Sequence, residues 1–198
     1  MSTATPPLRR LPVAVRRFHG EDVMSYSRRA AESNGTTPSA IERTARSDGY
    51  SLSSGRDTDP RRDLWRQLGG LHREAFTEPD TISGDEVVTR PLCLRCCAGQ
   101  RASGRLPEVG WVCLRHQWWI GNSQCSVRAL PELCAAERQF RQVLVPRGAL
   151  VATRVAQRVE AAVLGLPEDL LLSRAQRLDA AQVSRELLSY PEIVTLTC

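Results

Sequence analysis

Four residues with soft donor atoms stand in two pairs. Cys93-Leu-Arg-Cys96 is followed, after sixteen residues, by Cys113-Leu-Arg-His116. In a C-x-x-C turn the backbone reverses between the two ligands, so both donors face one cavity. Two such turns facing each other supply a complete tetrahedral sphere, and the spacing fits one structural Zn2+ held by Cys93, Cys96, Cys113 and His116. Four protein ligands leave no open position for a substrate, so the expected ion is structural rather than catalytic. The competing reading is a set of reduced cysteines scattered through a core. A variant of the first reading replaces Cys96 by its neighbour Cys97, through a C-x3-C turn.

Other reactive groupings are weak. His19 and His72 have no Ser, Cys or carboxylate pattern nearby that would make a catalytic set, and neither a phosphate-binding loop nor a dinucleotide fingerprint occurs. Asp57, Asp59 and Asp63 cluster where a helix should start, and helix capping explains them. The expectation is a protein that is not an enzyme.

Such a metal site would matter for stability. The apolar share of 41% promises a credible but thin core. Structural zinc contributes about 10–16 kcal/mol in small peptides, more than the net stability of many domains. Seven cysteines, locally clustered and without a secretory leader at Met1–Leu11, fit metal-bound thiolates in a reducing cytoplasm better than disulfides. No apolar run is long enough to span a membrane.

All 27 basic residues are arginine, which a GC-rich genome explains better than selection for phosphate forks. Their excess over acids is +4 in residues 1–76, +2 in 77–147 and −1 in 148–198. A basic front two thirds suits an acidic partner such as nucleic acid.

The elements expected to carry these residues are mostly helical. Residues 1–19 read as extended. A helix begins near Glu21-Asp22 and stops at Asn34-Gly35; Thr37-Pro38 then starts a second, to about Arg46. Two short helices on a tight turn make a helix-turn-helix candidate, with Ser39, Glu42, Arg43 and Arg46 on the reading helix and Arg28 and Arg29 on phosphates. Residues 47–59 form a loop, and Asp59-Pro60 opens a helix bearing Leu64, Leu68 and Leu71. Residues 77–89 read as a linker. Turns and short strands are expected from Cys93 to about Gln124, with one of Trp118 and Trp119 buried and the other exposed. Three helices should follow: one from Pro131, one on the valine stripe 151–163, and one from a Ser173/Gln176 capping box to Pro191. The fold class is therefore mainly α with a small zinc-ribbon-like module: a helix-turn-helix-like region at 1–76, the metal module at 88–126 and a helical tail at 127–198.

Two segments resemble the TniQ proteins of DNA transposition systems. Leu11-Pro12, Glu21, Ser25-Tyr26, Arg29, Ala31 and Asn34-Gly35 look like the family's opening pattern. Cys93/Cys96 and Cys113/His116, followed by Trp118-Trp119-Ile120, are similar to its first zinc ribbon. Together they cover roughly residues 11–126. The chain departs from the pattern where a second ribbon would follow, since Arg128 stands three residues after Cys125, and it is shorter than the larger members. The resemblance implies a cytoplasmic, non-catalytic adaptor that binds DNA, or a guide complex, and hands a target to an ATPase and transposase. A homodimer is compatible with such a role. The alternative is a stand-alone regulatory scaffold, in which zinc holds a surface for protein contacts only.

Overall fold

The computed structural model describes residues 8–53, 55–77, 88–121, 123–148, 166–178 and 183–197. It divides into two compact units, Met1–Glu78 and Pro79–Cys198. The described chain is mainly helical, with four two-residue strands. No described helix is long and apolar enough to cross a membrane.

The described residues of the first unit form three helices: α1 (Val23–Ser33), α2 (Pro38–Ser47) and α3 (Asp59–Gly69). Their ends follow local chemistry. Asp22 caps α1 by accepting the Ser25 amide at 2.7 Å. Asn34 closes it, and Gly35 takes the left-handed conformation (φ 67°) that lets the chain turn at once into α2. Thr37 caps α2, with Pro38 at its first position. Val23, Tyr26, Ala30 and Ala31 of α1 pack with Ala45, Leu64, Trp65 and Leu68 in one core.

Charged residues inside this unit are paired. The Glu21 carboxylate accepts from the Ser25 hydroxyl at 2.8 Å, the Phe18 amide at 3.0 Å and two Arg29 nitrogens at 2.8 and 2.6 Å. Glu42 accepts from Arg61 at 2.8 and 2.9 Å and from the Trp65 indole at 3.1 Å. Burial alone would raise the Glu42 carboxyl, but the Arg61 and Trp65 hydrogen bonds outweigh it and leave it below its usual range. Asp57 pairs with Arg62 at 3.3 Å and Asp63 accepts the Tyr50 hydroxyl at 2.6 Å. These links, more than helix capping, account for the Asp57–Asp63 cluster.

The second unit contains two small antiparallel pairs, β1 (Arg90–Pro91) with β2 (Ser103–Gly104), and β3 (Val112–Cys113) with β4 (Trp118–Trp119). Helix α4 (Pro131–Gln139) follows and widens into a π turn at Phe140–Leu144. Its other described helices are α5 (Glu168–Arg177) and α6 (Arg185–Thr197). Residues 88–126 and 127–198, separate in the sequence reading, share a core: Val112 and Trp119 pack with Leu130, Leu133, Phe140, Leu187 and Tyr190. Trp119 is sandwiched between Trp111 (5.9 Å between centroids, stacked) and Tyr190 (5.7 Å, edge-on).

Two helical expectations fail here. Ser173 caps nothing: it lies inside α5, which starts directly after Pro167. Pro191 does not end a helix but sits within α6. Proline removes an amide donor and crowds the preceding turn. Beside it, Arg174 donates to the Leu188 carbonyl and pairs with Glu192 at 2.7 Å, so a side chain supports the turn that proline weakens. The valine stripe 151–163 lies outside the described residues.

Candidate metal centre

The donor atoms of Cys93, Cys96, Cys113 and His116 all lie within 4.8 Å of one another. The Cys96 and Cys113 sulfurs are 3.6 Å apart. His116 Nδ1 lies 3.7 Å from the sulfur of Cys93, 3.3 Å from that of Cys96 and 3.5 Å from that of Cys113. A tetrahedral zinc with bonds of about 2.3 Å to sulfur and about 2.05 Å to nitrogen has edges of about 3.8 Å (S–S) and about 3.6 Å (S–N). The group could hold a metal ion, and its dimensions are compatible with zinc.

Local structure explains why these side chains meet. In the first turn the Cys97 amide bonds the Cys93 carbonyl at 3.0 Å, while the amides of Cys96 and Arg95 point at the Cys93 sulfur. Ala98 (φ 51°) and Gly99 (φ 81°) then carry the chain away. In the second turn the His116 amide bonds the Cys113 carbonyl at 3.2 Å, and Gln117 (φ 49°) reverses the chain into β4. Gln124 fixes the first turn from outside, accepting the Leu94 amide at 3.0 Å and donating to the Leu92 carbonyl at 2.7 Å. Cys97 is buried and outside the donor group, so Cys96 is the fourth member.

Without an ion the thiols of this group favour their neutral, protonated form. Burial, followed by the adjacent Cys113 and Cys93 sulfurs, pushes the Cys96 thiol up to about 12. Burial likewise raises the Cys93 thiol. Thiolates this close repel one another, and a divalent ion between them reverses that balance. Cys93 and Cys113 are buried; Cys96 is exposed as a residue, but its sulfur is packed against Cys113 and His116 at 3.6 and 3.3 Å.

A buried carboxylate ties this centre to the helices. Glu137 of α4 is fully buried and accepts from the Gly110 amide (2.9 Å), the Val112 amide (3.1 Å), Arg141 Nε (2.6 Å) and the Tyr190 hydroxyl (2.8 Å). Val112 precedes Cys113 of the donor group, so Glu137 sets the approach of the second turn. Gly110 is required there, because a Cβ would overlap the Tyr190 hydroxyl and the Glu137 carboxylate. Burial beside Glu137 pushes the Tyr190 hydroxyl well above its ordinary value. Burial lowers the Arg90 guanidinium to about 10; it donates to the Val109 carbonyl at 2.6 Å and lies 5.0 Å over the Trp111 ring. No sequence signal distinguished Glu137 or Tyr190, since the partners are 53 positions apart.

The residues proposed for DNA separate into two groups. Ser39, Arg43 and Arg46 are exposed at i, i+4 and i+7 on α2, and Arg28 is exposed on α1. Arg29 is buried, bound to Glu21 and the Arg16 carbonyl with its guanidinium 4.2 Å over the Phe18 ring, so it is removed from the phosphate-contact set. Glu42 is removed from the reading face for the same reason, through Arg61 and Trp65. Trp119 is the buried member of the tryptophan pair; Trp118 is half-buried beneath Arg95.

No protein-family model matches this chain, and no curated protein or solved structure matches it either.

Proposed function

We propose that this chain is a zinc-stabilised, non-catalytic DNA-contacting adaptor of the TniQ type, which positions target DNA for an ATPase and transposase. The observation that carries the reading is the closure of Cys93, Cys96, Cys113 and His116 at tetrahedral edge lengths. Four protein donors saturate the ion, so it braces the turns and offers no site to a reactant. The two ligand turns then behave as a zinc-ribbon-like module, and α1 and α2 as the helix-turn-helix-like pair.

The DNA part of the reading is supported by Ser39, Arg43 and Arg46 sharing one exposed face of α2, with Arg28 on α1. The residues that carry the TniQ resemblance work as framework under that face. Glu21, Ser25 and Arg29 form a single buried cluster, and Asn34 binds both backbone groups of Val13, at 2.8 and 3.0 Å. A pattern that encodes this cluster encodes the geometry of the helical pair.

The test combines metal analysis with DNA binding on the full chain. The expected result is one zinc per chain and duplex binding whose log affinity falls with log salt at a slope of roughly −3, for the three arginines Arg28, Arg43 and Arg46. Co-purification of a transposition ATPase from native cells completes it. Absence of zinc or a slope near zero refutes the reading, and capture of an unrelated protein without DNA binding favours the scaffold alternative.

A further inference from the structure

The metal-holding unit carries a basic surface that no role above uses. Residues 88–128 contain six arginines (Arg90, Arg95, Arg101, Arg105, Arg115, Arg128) against one carboxylate, Glu108, a balance of +5, of which buried Arg90 contributes nothing to the surface. Averaging over a longer window hides this, because Glu78, Asp80, Asp85 and Glu86 precede the stretch and Glu132 and Glu137 follow it. A divalent ion bound by three thiolates and a neutral imidazole adds −1, which leaves the module strongly positive.

Three of these arginines gather at the metal turns. Arg95 and Arg115 occupy the same place in each turn, one residue before the second ligand, and both are exposed. The Arg95 guanidinium lies 4.4 Å over the Trp118 ring. Trp118 pairs with Cys113 on one side and bridges to Ser126 on the other. The Val127 amide bonds the Gln117 carbonyl at 2.9 Å, which carries the backbone of exposed Arg128 alongside the His116 turn. Among the described residues, no ion pair involves Arg95, Arg115 or Arg128.

We propose that Arg95, Arg115 and Arg128 form a second DNA-contacting face, which takes backbone phosphates of a duplex without reading sequence. It rests on the reading of the chain as a DNA-contacting protein, but it lies on the other unit from α2. Planar guanidinium forks match phosphate oxygens, and among the described residues no ion pair must be broken to free them. The face is charged, and half-buried Trp118 lies beneath Arg95 rather than standing free as an apolar anchor. The large hydrophobics exposed among the described residues are Val13, Met24, Leu172 and Leu196, none of them in residues 88–128. Protein partners draw their affinity from buried aromatic and apolar hot spots, whereas phosphate binding needs only the charge. Arg95, held over the Trp118 ring, loses less side-chain freedom on binding than a free arginine.

The experiment measures binding of a short mixed-sequence duplex by anisotropy across a salt series, with zinc content and melting temperature as folding controls. The full chain carrying R95Q/R115Q/R128Q keeps its zinc and melting temperature, binds more weakly, and shows a salt slope shallower by about 2–3. Should the triple variant lose zinc, R128Q alone, outside both ligand turns, gives a slope shallower by about 1. An unchanged slope overturns the proposal, as does a wild-type chain that ignores the duplex and binds polyglutamate. R28Q/R43Q/R46Q is measured in parallel. If only that variant loses affinity, the module face is wrong and the α2 reading stands. If only the module variant does, the α2 reading fails and the module face stands.

Discussion

Replacing Glu137 by glutamine should unseat the second ligand turn while barely changing the shape of the side chain. One carboxylate oxygen accepts the Gly110 amide and Arg141; the other accepts the Val112 amide and the Tyr190 hydroxyl. An amide NH2 in either position points a donor at a backbone donor. Leaving a buried N–H unmet costs about 1–3 kcal/mol. Losing the Arg141 pair adds little, because that side chain is 32% exposed and solvent screens it. Removing the anion also strips buried Arg90 of nearby negative charge. The sum is about 3 kcal/mol, in the range for breaking a buried pair, and for a unit of this size it lowers the melting midpoint by roughly 10 °C. Thermal unfolding of the zinc-loaded chain measures it. Tyr190→Phe removes a single donor and should cost about half as much, and the double variant should show coupling of about 1 kcal/mol. If E137Q stays within about 0.5 kcal/mol of wild type, Glu137 does not organise this unit.

Three further outcomes follow from the same geometry. Cys113→Ser, or a strong chelator, should release the zinc and unfold the second unit while the first keeps its helical signal; retention of a full zinc equivalent would refute the ligand assignment. Glu42 titrates below its usual 4.5 in the folded state, so its contribution is complete above that pH and fades as the pH falls below it. Acid unfolding of the first unit should therefore be less steep in E42Q, as read by circular dichroism. Tyr190 is raised, so the folded second unit holds that proton more tightly than the unfolded chain. Its stability should decline as the pH rises above about 10, a decline that Y190F should lack.

Signals confined to a few neighbouring residues were legible in the sequence. Asn34-Gly35 and Thr37-Pro38 bound a turn by their own backbone preferences, and each ligand pair closes within four residues. Features that depend on distant partners were not. Arg29 and Glu42 read as surface charges on helices, and only the positions of Glu21 and Arg61 make their burial affordable. Pro191 reads as a stop until Arg174, 17 positions earlier, is seen beside its turn. Ser173 has a cap's spacing, but Pro167 had already begun the helix. The charge of the metal module was visible residue by residue and was lost by averaging over its acidic flanks.

Trp118 pairs with Cys113 in the β-ladder, and its neighbour Trp119 is stacked on Trp111 at 5.9 Å. A coloured, paramagnetic surrogate such as Co2+ would show ligand-field bands in the visible at a tetrahedral site and quench emission from nearby indoles. The chain thus contains its own optical reporter of metal occupancy, and titration of the ion could be followed in unlabelled protein.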